Sequence, residues 1–140
     1  MSTDCAFCDV VADPSGAHVV FEDADTLAFL DHRPVFKGHV LLMPRLHVAT
    51  LPELPAELVS PLFTVAQRLS EAMVTGLGAQ GSFVAMNNVV SQSVPHLHVH
   101  IVPRTKGDGL RGFFWPRTRY TDDTEAADHA TRIRAAVRFP

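Results

Sequence analysis

The stretch "PHLHVHIVPR", residues 95–104, sets His96, His98 and His100 on alternate positions, with Leu97, Val99 and Ile101 between them. A strand turns positions i, i+2 and i+4 to one face, so this spacing predicts a half-buried strand over 96–103, ended by Pro103. Three imidazoles stand on one side and three aliphatic side chains on the other. Packing asks for no such row of rings. Neutral imidazole is both a nucleophile and a metal ligand, and it titrates near neutral pH. The row therefore predicts chemistry rather than the wet face of a sheet.

Outward from this strand, alternation and turn residues predict strands at "HVVFE" (18–22) and "TLAFLD" (26–31), joined by a turn at "DAD". "GHVLLMP" (38–44) is apolar through its middle and reads as a central strand. Leu58, Leu62, Val65, Leu69 and Met73 recur at helical spacing within residues 55–77. Either this helix starts near Pro55 with Pro61 in an early turn, or Ser60 caps it and Pro61 is its first residue. The glycines of "TGLGAQG" (75–81) end it. "SFVAMNN" (82–88) reads as a fourth strand. Ala126, Ala130, Ile133 and Val137 give a final helix over about 124–138 its apolar stripe. The order β-β-β-α-β-β-α predicts an α+β domain with a five-stranded, mainly antiparallel sheet. Such a sheet leaves an edge strand, which a second copy of the chain can cover.

The 140 residues suffice for one domain with a single core, and 46% hydrophobic with 19% charged content argues against disorder. A net charge of −3 disfavours non-specific nucleic-acid binding. The charge is uneven: residues 1–100 sum to −6 and residues 101–140 to +3. Arg104, Lys106, Arg111, Arg117 and Arg119 either draw a polyphosphate toward the histidines or form a solvated surface. The start, "MSTDCAFCDVV", has no basic region or long apolar run, and no stretch approaches the ~18 apolar residues of a membrane span. A cytoplasmic protein without a membrane partner is expected. Cys5 and Cys8 form a C-x-x-C for which metal, redox chemistry or plain packing are all open.

A nucleophilic histidine needs one ring nitrogen unprotonated and the other held by an acceptor. Neighbouring rings can then orient it and donate to phosphate oxygens. Ser91, Gln92 and Ser93, just before the run, offer further donors to charge that builds in a transition state.

"QSVPHLHVHIVPR" resembles the signature of the histidine triad (HIT) family, Gln-x-Val-x-His-x-His-x-His with apolar residues in the gaps. "AFLDHRPVFKGHVLLMPRLH" (28–47) is similar to the family's other block, and "CAFC" to the opening of many bacterial members. The resemblance implies the HIT-like fold over residues 1–120, with 121–140 as a helical extension packed on the same domain, and a homodimer. It implies His98 as nucleophile, His100 on the α-phosphate or leaving-group oxygen, and His39 ordering the triad. Gln92, Ser93 and Ser91 would lie at the phosphate, Asn87 nearby, and Asp31 at the ribose hydroxyls. Phe29, Leu30 and His32 would border the base. Cys5, Cys8, His47 and His96 would hold a structural zinc, with no organic cofactor. The chain departs from the family pattern in three places. The loop before Gln92 is short, with Ser91 in a glycine's place. Pro95 precedes His96. The chain runs on past "FFWPR", where Trp115 either reaches a partner's pocket or anchors the dimer surface. The implied function is hydrolysis or transfer at the α-phosphorus of purine nucleoside phosphoramidates or dinucleoside polyphosphates, with an AMP-like ligand. The alternatives are a nucleotide-binding regulatory or scaffolding module with little turnover, and a metal-dependent phosphodiesterase, for which carboxylates near the run are few.

Overall fold

The computed structural model describes residues 4–110 and 117–139. The chain divides into two compact units, Met1–Asp108 and Gly109–Pro140. The first holds α1 (Ala6–Ala12), β1 (Val19–Glu22), β2 (Thr26–Leu30), β3 (Val40–Pro44), α2 (Ala56–Leu77), β4 (Gly81–Ala85) and β5 (Val99–Arg104). The second holds α3 (Asp123–Ala136), capped by the Asp122 carboxylate, which accepts from the Glu125 amide at 2.8 Å.

The five strands form one sheet in the order β1-β2-β3-β5-β4, every neighbouring pair antiparallel. This is the α+β class that the element order predicts. The apolar strand β3 is central, and the histidine strand β5 lies inside the sheet between β3 and β4. Along β2 and β3 alternate residues bury on opposite faces. Ala28, Val40 and Leu42 join Leu97, Val99 and Ile101 against Leu62, Val65, Ala66, Leu69 and Met73 of α2. Leu27, Phe29, Leu41 and Met43 face the other way, onto Phe7, Val10 and Val11 of α1. Each fully buried aliphatic side chain here contributes roughly 1.5–3 kcal/mol. Because β2 and β3 are covered on both sides, they read as continuous apolar runs rather than alternating ones.

Three local differences from the sequence reading, and the outcome of one alternative it left open, have physical causes. The helix α1 was not anticipated: its seven residues are too few to hold a helix alone, and its N-cap is Cys5, whose Sγ accepts the Cys8 amide at 3.3 Å. Its signal was Phe7, Val10 and Val11, the i, i+3, i+4 set of a face packed on the sheet. Pro61 lies inside α2, which starts at Ala56, so the first of the two alternatives holds. β4 stops at Ala85 because the Asn87 and Asn88 side chains bond loop backbone instead. The fifth strand begins at Val99 rather than His96, and it runs through Pro103 to Arg104. Pro103 is tolerated because Arg104 turns its carbonyl to Gln80 on the β4 side. The backbone of Pro103 therefore faces the β3 side, beyond the last pair of that ladder, Val40 with Ile101.

Gly38 positions the next residue, His39. Its φ of +103° is one that L side chains rarely adopt, and a Cβ there would run into the Leu77 side chain. No helix among the described residues is long and apolar enough to cross a membrane.

Candidate active site

The register of β5 sets the site. His100 pairs with Leu41, whose side chain faces α1, so His100 and His98 project to the α1 face while Val99 and Ile101 enter the α2 core. His96 and His98 are almost completely buried, at 0% and 6% exposure. The row is not a wet face. Phe7 of α1 stands edge-on to His98, with centroids 4.9 Å apart and planes at 88°, and it also meets Phe29 and His96.

Each ring's proton is assigned by its partners. The carbonyl of His96 lies 2.7 Å from Nδ1 of His98, so that nitrogen carries the proton and donates it. Nε2 of His98 keeps its lone pair and has no hydrogen-bond partner among the described residues. The amide of Val35 donates to Nδ1 of His39 at 3.0 Å, which forces the His39 proton onto Nε2. That proton is donated to Nδ1 of His100, 2.9 Å away. His100 therefore carries its own proton on Nε2 and is a donor there. The arrangement pairs an unprotonated nitrogen on His98 with a neutral donor on the adjacent ring, the two centroids 5.0 Å apart.

Burial, together with the neighbouring rings of His98 and His39, pushes His100 down to about 4 against an upward pull from Asp31. Burial also lowers His39, again against Asp31. The Asp31 carboxylate lies 3.8 Å from Nδ1 of His39, beyond hydrogen-bonding distance and with that lone pair already taken by Val35. The contact is thus between a carboxylate and a neutral ring. The same commitment argues against a metal held by Asp31, His39 and His100, although their donor atoms cluster.

Asp31 is fixed by two further bonds: its amide donates to the His39 carbonyl at 2.9 Å, and Oδ1 accepts the Arg33 amide at 2.9 Å. It lines a cavity of about 470 Å³ together with Phe29, Leu30 and His32. The four residues assigned to ribose and base thus do share one pocket. Sequence reasoning missed the opposite wall, made by Asp9, Val10 and Asp13 of the α1 segment with Ala17 and His18.

The loop before the triad is differently used from the expectation. The Gln92 side chain bonds loop backbone, and Asn87 donates to the Ser91 carbonyl at 3.3 Å. Ser91 and Ser93 are exposed. Ser91, in the glycine's place, has φ +62°, and Val89 has φ +73°. A left-handed residue other than glycine costs roughly 1–2 kcal/mol. Trp115 lies outside the described residues.

A second cluster lies at the other end of the row. Nδ1 of His47 is 3.2 Å from Nδ1 of His96 and 3.2 Å from Sγ of Cys8. Nδ1 of His96 lies 3.5 Å from Sγ of Cys5 and 3.6 Å from Sγ of Cys8. Tetrahedral zinc with its usual bond lengths sets ligand nitrogens about 3.3 Å apart and nitrogen and sulfur about 3.6 Å apart. The four residues fit that polyhedron. Nε2 of His96 donates to the Pro44 carbonyl at 2.8 Å, the outer bond that aims Nδ1 into the cluster. Burial and the neighbouring Cys5 raise the Cys8 thiol, and burial lowers His96. A divalent cation reverses the first effect and uses the second, since it binds thiolate and neutral imidazole.

A five-stranded antiparallel α+β sheet carrying a buried row of histidines with ordered ring protons, and a cavity lined by Asp31 beside His39, defines the class of protein. The HIT domain matches residues 14–107, and the chain belongs to the HIT family. It is 32% identical to the adenosine 5'-monophosphoramidase of Schizosaccharomyces pombe over 114 residues, 80% of this chain and 83% of that one. The crystal structure of a HIT family member from Bacillus subtilis superposes with a TM-score of 0.85 at 30% identity, covering 98% of this chain and 99% of that one. A zinc-bound histidine triad family protein from Mycobacterium smegmatis superposes at 0.72 with 33% identity, covering 96% and 98%.

The depressed His100 and His39 make stability acid-sensitive. Between pH 6.5 and about 4 the unfolded chain binds protons that folded His100 does not, so stability is full above 6.5 and falls as pH drops through that window. The loss is on the order of 1–3 kcal/mol after allowing for partial solvent exposure. Chemical denaturation at pH 7.5 and pH 4.5 should show it, and His100→Gln should shrink the difference. An unchanged difference in that variant would remove His100 as the cause.

Proposed function

We propose that the protein is a nucleotidyl hydrolase or transferase acting at the α-phosphorus of nucleoside phosphoramidates or dinucleoside polyphosphates. The observation that carries this reading is the proton assignment at His98: Nδ1–H is held by the His96 carbonyl, and Nε2 keeps its lone pair. The reaction follows in two steps. The base lies in the cavity against Phe29 and Leu30, and Asp31 accepts from the ribose hydroxyls. Nε2 of His98 forms a bond to phosphorus while the opposite P–N or P–O bond breaks, and the leaving group takes a proton from solvent. The phosphorylated ring is then an imidazolium whose Nδ1–H still bonds the His96 carbonyl. Nε2–H of His100, held in that tautomer by His39, donates to a phosphate oxygen. Water attacks second, gives a proton back to solvent, and the P–N bond to His98 breaks to release the monophosphate. Splitting one displacement into two is the gain of covalent catalysis. The monophosphoramidase activity named for the S. pombe relative supports this class of substrate.

Cys5, Cys8, His47 and His96 would hold zinc as a closed structural site. Bound there, zinc would supply no Lewis-acid chemistry to the substrate; it would tie α1 and the segment after β3 to the residues just before β5. The zinc-bound M. smegmatis neighbour supports the assignment.

An open sheet edge supports a homodimer. β4 ends the sheet, and Val84 on it is 43% exposed. On α2, Val59, Phe63, Val74 and Leu77 form an exposed stripe beside the core face. A second copy that pairs β4 with β4 would cover both.

Three experiments test these readings. Early quench of a reaction with an adenosine phosphoramidate should give protein carrying one AMP on His98, and His98→Ala should lose at least about 10³-fold in turnover. An adduct on another residue, or full turnover in the variant, would refute the mechanism. Chelation should release one zinc per chain and lower the melting temperature by several degrees, as expected when a few kcal/mol of stabilisation is lost. Zinc-free protein as isolated, with no change on adding zinc, would exclude the site. Sedimentation should show a dimer for the wild type and a monomer for Val84→Glu with Phe63→Glu; a wild-type monomer would sink the assembly.

A further inference from the structure

The loop 88–92 is held in a costly shape that its own packing does not explain. The Val90 amide bonds the Asn88 carbonyl at 2.9 Å around Val89, whose φ is +73°. This is a γ-turn of the rare positive-φ hand, made worse by a β-branched residue. Ser91 is also left-handed. Val89 and Val90 are 74% and 77% exposed, so burial repays none of the strain. Strained backbone persists only where surrounding contacts over-determine it.

Those contacts are side-chain amides. Oδ1 of Asn88 accepts the Leu51 amide at 2.7 Å. Nε2 of Gln92 donates to the Ala49 carbonyl at 2.6 Å, and its Oε1 accepts the Val89 amide at 3.1 Å. Both ends of the Gln92 amide are therefore committed to backbone. The segment they grip is itself firm: Val48 and Leu51 pack on the core, and the Glu53 carboxylate accepts the amide and hydroxyl of Thr50. From the same segment the Val48 carbonyl accepts the amide of Leu97, between His96 and His98.

We propose that Asn88 and Gln92 are positioning residues that clamp the strained loop 88–92 to Ala49 and Leu51, and so set the backbone leading into the histidine row relative to His98. This rests on the reading of His98 as nucleophile. It also gives Gln92 a different task from phosphate contact. In a loop that carries no glycine, two side-chain clamps supply the shape that glycine would permit.

The test compares amide exchange in the nucleotide-free protein with turnover on an adenosine phosphoramidate, for Gln92→Ala, Asn88→Ala and Asn88→Asp. Gln92→Ala should speed exchange at Val89, and Asn88→Ala at Leu51, each by ~10-fold, as expected for losing one hydrogen bond. Both should lower kcat by ~10-fold or more, with a smaller change in KM. Asn88→Asp should keep the Leu51 amide protected, because only the acceptor oxygen is used. Unchanged exchange with lost turnover would make these residues substrate contacts and overturn the proposal. Faster exchange with unchanged turnover would overturn it too, by showing that the loop's placement does not matter. A wild-type protein inert on every nucleotide would bring down the functional reading and the positioning role with it. That failure is distinguishable, because the exchange differences would remain.

Discussion

A neutral imidazole has one proton and one lone pair, and a buried row of them is useful only if each proton is held in place. Here backbone groups do the holding. The Pro44 carbonyl takes the Nε2 proton of His96, and the His96 carbonyl takes the Nδ1 proton of His98. The Val35 amide sets His39, which sets His100. Three rings on one face therefore differ in what they present: a lone pair to the Cys/His cluster, a lone pair at Nε2 of His98, and a donor at Nε2 of His100. If any of these bonds moved, the rings would become interchangeable and the row would lose its division of labour.

The short helix α1 serves all three parts. It brings Cys5 and Cys8 to His47 and His96, sets Phe7 against His98, and forms one wall of the cavity that Phe29 and Asp31 form from the other side. A seven-residue helix has little stability of its own, so it depends on its apolar face against Leu27, Phe29, Leu41 and Met43. A closed four-ligand site there would stabilise this helix and the mouth of the cavity together. The same economy appears on the other side of the triad, where the segment after His47 carries both the core contacts of Val48 and Leu51 and the bonds to the loop 88–92.

Much of the site was legible because the relevant residues alternate or recur locally. The i, i+2, i+4 histidines and their aliphatic gaps identified a two-faced segment, and the family blocks singled out Asp31, His39 and the four Cys/His residues that the fold brings together. What escaped was long-range in origin. The Gln92 amide looks like a phosphate donor in sequence, yet its partners are Ala49, forty-three residues away, and Val89. The buried state of His96 and His98 was equally hidden, because it is imposed by Phe7 and by Pro44 on other elements.

The sequence by itself determined the class of fold and the chemical character of the histidine strand, because side-chain period and turn residues are properties of neighbours along the chain. Only the tertiary structure decided which nitrogen of each ring is free, that a cysteine-capped helix forms at all, and that two asparagine and glutamine side chains grip backbone. Those outcomes depend on hydrogen-bond partners brought together from distant segments, and no local pattern encodes a partner that the folded chain alone delivers.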